Sequence, residues 1–151
     1  MVPVQSIAIF VPLAVAFPAV LGTIAIHGVA VLSVVYFVRH EQRVGRAGIG
    51  FWRDLLIVSG VILLALMAHV MEIGIWALVF EFCGEFSQPS IALYHSAVNY
   101  TSLGYGDVVM SAPWRLLGPL ETADGMLMFG VSTAMIFAVI ERLVQTRFKF
   151  G

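Results

Sequence analysis

From residue 1 to residue 38 the chain contains no Asp, Glu, Lys or Arg. That run is longer than the ~20 apolar residues needed to cross a bilayer. Two more long apolar runs follow, at about residues 54–82 and 113–146. Only 11% of all residues are charged, against about 25% in ordinary soluble domains. Too little polar surface remains to solvate a globule in water. The bilayer is the expected solvent, and the expected class is an all-α membrane protein.

Pro12 and Pro18 predict a break or kink near the start of the first run, because proline removes an amide donor. The first span is therefore expected at about residues 19–38, with the earlier part a tilted extension or an interfacial helix. The N-terminus lacks the basic region of a secretory signal, and Ala14-Val15-Ala16, faintly like a cleavage site, is read as structure. Asp54 suits the first turn of the second span, where the helix dipole favours an acid. Residues 90–100 are apolar but too short to cross, which suits a re-entrant helix.

The basic residues set an orientation. Arg39, Arg43, Arg46 and Arg53 lie in one connection, and Arg142, Arg147 and Lys149 lie at the C-terminal end. Arg115 stands alone in the connection between them. This pattern predicts an odd number of spans, the N-terminus outside and the C-terminus cytoplasmic. The short form fits a prokaryotic inner (plasma) membrane. A net charge of −1 gives no footprint for nucleic acid. The single cysteine, Cys83, forms neither an intrachain disulfide nor a cysteine-cluster metal site. It is read as a free, partly buried thiol, or as a bridge between subunits.

The segment at 99–107, Asn-Tyr-Thr-Ser-Leu-Gly-Tyr-Gly-Asp, breaks the apolar pattern. Irregular backbone is tolerated at membrane depth only where it is buried in protein or lines an aqueous path. Gly104 and Gly106 reach positive φ without steric cost. Alternating with Leu103 and Tyr105, they let successive carbonyls point the same way. Carbonyls so arranged replace the hydration shell of a cation. Ser102 adds a hydroxyl oxygen, and the preceding short helix aims its partial negative end at the cavity below.

Residues Thr101 to Asp107 resemble the selectivity-filter signature of the potassium channel pore-domain family, usually Thr-Thr-Val/Ile/Leu-Gly-Tyr-Gly-Asp. The resemblance covers roughly residues 54–146. Trp114, Leu117, Leu120, Glu121 and Gly125 resemble the Trp-x-x-Leu and Leu-Glu-x-x-x-Gly pattern that follows the filter in bacterial members. It implies a homotetramer in the lipid bilayer, each chain with three transmembrane helices, a re-entrant pore helix and a filter loop. Residues 1–53 are then an N-terminal helix and basic cytoplasmic connection. Residues 54–151 are the pore domain: outer helix about 54–82, pore helix about 90–100, filter 102–106, inner helix about 113–146.

The resemblance further implies K+ as permeant ion, no other cofactor and no enzymatic chemistry. It places K+ at Ser102, Leu103, Gly104 and Tyr105, with Gly106 closing the filter and Asp107 at the pore mouth, where it raises the local cation concentration, hydrogen-bonds the pore-helix region, or does both. Tyr105 side chains would point away from the axis. With Gly125 as a hinge-like glycine, Met126, Phe129, Thr133 and Phe137 fall on the pore-facing stripe, read either as pore lining or as ordinary helix packing. Asp124 points roughly away from the axis, with a pore-lining role as its alternative. Glu121 would support the pore-helix region. Ser102 departs from the usual Thr and loses the β-methyl that stiffens χ1, which leaves a weakly selective cation channel as an alternative. The first span has no counterpart in the minimal plan and no arginine ladder for sensing voltage. It is expected to pack outside the pore helices.

His69 and Glu72 lie three apart on one helix face, with Trp76 a turn further. They read either as a proton-sensitive pair behind the filter or as a polar cluster docking the outer helix. His27 and His95 read as hydrogen-bonded core residues. Two other functions remain: a haem redox protein ligated by His27 and His69, and a non-conducting accessory protein. With only a few residues after the last span, gating is expected from the filter, lipid or protons, or not at all.

Overall fold

The computed structural model describes residues 8–48 and 50–149, the side chains of 148 and 149 excepted. Four helices follow in order: α1 (Phe10–Arg43), α2 (Phe51–Phe82), α3 (Pro89–Tyr100) and α4 (Leu117–Lys149). α1, α2 and α4 are each long and apolar enough to cross a membrane. α3 has 12 residues. At ~1.5 Å per residue a helix of that length falls well short of the ~30 Å hydrocarbon layer.

The break expected at Pro12 and Pro18 does not occur, for α1 runs through both over 34 residues. Pro12 lies in the first turn, where the amide has no intrahelical partner to lose. Pro18 does cost one bond, but Ala16, Ala19 and Thr23 around it are packed against the neighbouring helices, and that packing tolerates the loss. The first span therefore starts well before residue 19. α4 begins later than residue 113. Short turns from the Trp114 amide to the Ser111 carbonyl (3.1 Å) and from the Leu117 amide to the Trp114 carbonyl (2.9 Å) occupy the intervening residues.

The buried face of α1 reads Pro12, Ala16, Ala19, Thr23, His27, Ala30, Val34 and Val38. These positions recur every three or four residues, and half of them, Ala16, Ala19, Thr23 and Ala30, are small. Without a hydrophobic drive between helices in lipid, small residues gain association by letting backbones approach. The other face carries exposed Phe10, Phe17, Val29, Leu32 and Tyr36, as a lipid-facing surface requires. α1 and α3 each pack on α2 and α4 and not on one another.

Two apolar clusters fill the interior. One joins Val34 and Val38 to Ile57, Val61, Ala65, Met135, Val139 and Leu143. The other joins Ala16 and Ala19 to Trp76, Phe80, Tyr100, Leu117 and Met128. Around the helix midpoints lie buried polar groups, His27, His69, Glu72 and Ser132. At the N-terminal end of α2, Asp54 accepts the Gly48 amide (2.8 Å) and pairs with Arg147 of α4 (2.6 Å). This ties the start of α2 to the end of α4.

Candidate functional site

α3 leads into an exposed loop over residues 101–107. Its backbone alternates in handedness: Ser102 (φ 61°), Gly104 (φ 61°) and Gly106 (φ 72°) are left-handed, and Leu103 and Tyr105 are not. Ser102 is the sole non-glycine residue with positive φ among the described residues. Alternation of this kind gathers amides on one side of the strand and carbonyls on the other.

The amides face inward. Ser102 donates to the Asn99 carbonyl (2.9 Å), and Leu103 and Gly104 both donate to the Val98 carbonyl (2.9 and 3.2 Å). Among the described residues, no carbonyl from Ser102 to Gly106 accepts a hydrogen bond. Backbone carbonyls are almost always paired or solvated, so these five consecutive exposed acceptors are open to solvent or to an external partner.

Side chains brace the loop from behind. The Tyr94 hydroxyl donates to Asp107 (2.7 Å), and the His95 imidazole meets the Val108 carbonyl (3.1 Å). The Tyr94 hydrogen bond holds the Asp107 carboxyl below the usual carboxylate range. Glu85, in the α2–α3 connection, receives both the amide (2.7 Å) and the hydroxyl (2.5 Å) of Ser111. Cys83 is a partly buried free thiol in the same connection, its pKa pushed up by burial.

Behind α3 lie three buried carboxyl groups. Glu121 of α4 faces the Ser96 hydroxyl (2.5 Å), which also reaches the Ile73 carbonyl (2.8 Å). Its support of α3 is thus direct. Asp124 accepts from Thr23 (2.9 Å) and from the Trp76 indole (2.9 Å), and so points toward α1 and α2. Trp76 therefore serves Asp124, not the His69–Glu72 pair with which it shares a face. Glu72 receives His27 Nδ1 on one oxygen (2.9 Å) and His69 Nδ1 on the other (3.0 Å). The Tyr100 hydroxyl also donates to Glu72. Ser132 Oγ lies 3.0 Å from His69 Nε2 and 3.2 Å from His27 Nε2.

Along α4, Met126, Thr133 and Phe137 are exposed in the single chain. Phe129 is only 37% exposed. Its ring stacks 4.3 Å from that of His69 and meets Tyr100 edge-on at 5.6 Å. It thus borders both the open face and the polar cluster. Gly125 sits against the Tyr100 carbonyl, where a Cβ would overlap. Its role in this packing is close approach of α4 to the end of α3.

Sequence reasoning missed Tyr94, Tyr100, Ser96, Thr23 and Ser132. Thr23 lies on the heptad-like stripe of α1, and a hydroxyl on such a stripe is a readable signal. A hydrogen bond between Asp107 and the short helix was expected, but its partner, Tyr94, lies 13 residues away across the end of α3 and the loop and leaves no periodic trace.

A family model described as "Ion channel" matches residues 68–142. The matched stretch takes in the C-terminal half of α2, all of α3, the 101–107 loop and most of α4. No curated protein matches the chain, and no solved structure does.

Proposed function

We propose, given that residues 68–142 belong to the ion channel family, that this chain forms a potassium-selective channel. Four copies surround a shared axis, and the carbonyls of Ser102, Leu103, Gly104 and Tyr105 coordinate K+ as it sheds water. Gly106 ends the filter, and Asp107 enriches cations at the mouth. Residues 54–151 make the pore and residues 1–53 an outer buttress. Conduction is passive, down the electrochemical gradient, and no bond is made or broken. The N-terminus lies outside and the C-terminus in the cytoplasm of a prokaryotic inner membrane, as the arginine distribution favours.

The observation that carries this reading is the row of free carbonyls. At membrane depth an unpaired carbonyl costs several kcal/mol, and a dehydrating cation repays it. A tetramer also accounts for the exposure of Leu103 (54%) and Tyr105 (67%), which neighbouring subunits would cover. The open faces of Met126, Thr133 and Phe137 would then line the cavity.

The test is flux into liposomes containing purified protein, with reversal potentials in K+ and Na+ gradients. A strong preference for K+ is expected, together with a tetrameric mass in detergent. Equal permeation of the two ions would instead establish the weakly selective channel, with Ser102 the residue to replace first. Gly104→Ala is the control. A Cβ there meets nothing within 4 Å, but φ is 61°. Within one chain the change costs about 1–2 kcal/mol of backbone strain without a clash, so the subunit should still fold while K+ flux is lost.

A further inference from the structure

We infer that His27, His69, Glu72 and Tyr100 form a binding site for a divalent transition metal of the zinc class, tying α1 to α2 and to the end of α3. The inference is independent of ion conduction, since the site stands behind the loop and within one chain.

The donor set and its spacing come first. His27, His69 and Glu72 are buried, and one ligand atom from each lies within 4.8 Å of the others. Tetrahedral zinc with bonds of about 2.0–2.1 Å needs its ligands about 3.3 Å apart. The Nδ1-to-carboxylate distances are 2.9 and 3.0 Å, and His69 Nδ1 lies 3.2 Å from the Tyr100 hydroxyl. His27 and His69 meet different oxygens of Glu72, so a metal among the four requires the His and Glu ligand atoms to close from within 4.8 Å to that spacing and the Tyr100–Glu72 contact to open. Two neutral imidazoles, a carboxylate and a phenolate balance its double charge, the Tyr100 proton leaving to solvent. The site then carries no net charge into the membrane.

The second observation is the far side of both rings. Both Nε2 atoms face one oxygen, Ser132 Oγ. A hydroxyl offers one proton and two acceptor lone pairs. With both Nδ1–H groups donating to Glu72, two Nε2 acceptors compete for that single proton. With metal on both Nδ1 atoms, both Nε2–H groups donate to the two lone pairs, and the competition for the single hydroxyl proton is removed. Ser132 is then the outer partner that orients metal-bound histidines. An imidazolium on one ring meets the same count, so a cluster that holds only a proton is the alternative to exclude. The Phe129 ring, stacked on His69 at the half-exposed side of α4, is a cover past which a metal enters.

The experiment loads purified full-length protein in nanodiscs with zinc alone and reads bound metal by mass spectrometry. About one zinc per chain is expected. His27→Gln and His69→Gln should each abolish binding, Ser132→Ala should weaken it about tenfold, and His40→Gln, at the exposed end of α1, should leave it unchanged. Should a histidine variant fail to assemble, X-ray absorption on the parent decides. Two imidazole nitrogens at about 2.0–2.1 Å are expected. Protein that stays zinc-free, zinc retained with unchanged affinity in both histidine variants, or a spectrum lacking imidazole would each overturn the proposal.

Discussion

Gly125, in the first third of α4, packs directly against the carbonyl oxygen of Tyr100, the last residue of α3. The contact leaves no room for a side chain. Tyr100 is itself fully buried, and its hydroxyl reaches Glu72 on α2. One glycine thus sets how closely α4 approaches the helix that carries the 101–107 loop.

Gly125→Ala should therefore destabilise the protein by about 1–3 kcal/mol, as overpacking against rigid backbone does. Thermal unfolding of the purified protein in detergent measures this. Gly130→Ala on the same helix is the comparison. A Cβ there meets nothing within 4 Å, and replacing Gly by Ala in a helix interior stabilises by about 0.5–1 kcal/mol. Equal destabilisation by the two would remove the close-approach argument.

Asp107 and Tyr94 predict a pH response at the mouth. The Tyr94 hydrogen bond keeps the folded-state pKa of Asp107 depressed, so the negative charge persists above that value and is lost as pH falls through it. Tyr94→Phe should move this loss to higher pH. On the channel reading, K+ flux at low ionic strength should decline in acid, and the decline should begin nearer neutrality in the variant. Asp107→Asn should remove the step altogether. High salt should shrink all these differences, because exposed charges are screened.

Glu121 and Ser96 set up a test of hydrogen-bond supply. The Ser96 hydroxyl has one proton for two acceptors, the Ile73 carbonyl and Glu121. Glu121→Gln brings an amide donor to the same place and should cost less than about 1 kcal/mol. Glu121→Ala leaves a void among fully buried groups and should cost roughly 2–4 kcal/mol. Thermal melts of both variants decide, and a Gln variant as damaged as the Ala variant would count against this account.

Asp54 and Arg147 form a half-exposed ion pair, with the arginine side chain 42% accessible. A double-mutant cycle should give a coupling below about 1 kcal/mol. Asp54→Ala should nonetheless cost more than Arg147→Ala, since it also deprives the Gly48 amide of its acceptor. Urea or thermal denaturation of the two single variants and the pair supplies the comparison. Equal single costs would show that the Gly48 contact contributes nothing.

The three spans and the short α3 were legible because lipid makes hydropathy decisive: a run of apolar residues has few other places to go. The loop after Tyr100 was legible for a related reason. Glycines alternating with Leu103 and Tyr105 impose a handedness pattern through local sterics alone, and the φ values at 104 and 106 follow it. The prolines of α1 misled, because proline's cost is local while its compensation comes from Ala16, Ala19 and Thr23 packing on other helices.

Partnership among the buried polar groups was not legible in the same way. The i,i+3 spacing joined His69 to Glu72, since one helix sets that distance. The same geometry placed Trp76 beside them, whereas its indole went to Asp124, 48 residues away. His27 looked like a lone histidine on an apolar face until α1 brought it 2.9 Å from Glu72. Periodicity along a single helix decides which face a residue occupies and nothing about what meets it. That depends on how one helix is rotated and slid against another. The small residues of α1 and Gly125 permit the close approach at which His27, Glu72, Tyr100 and Ser132 meet.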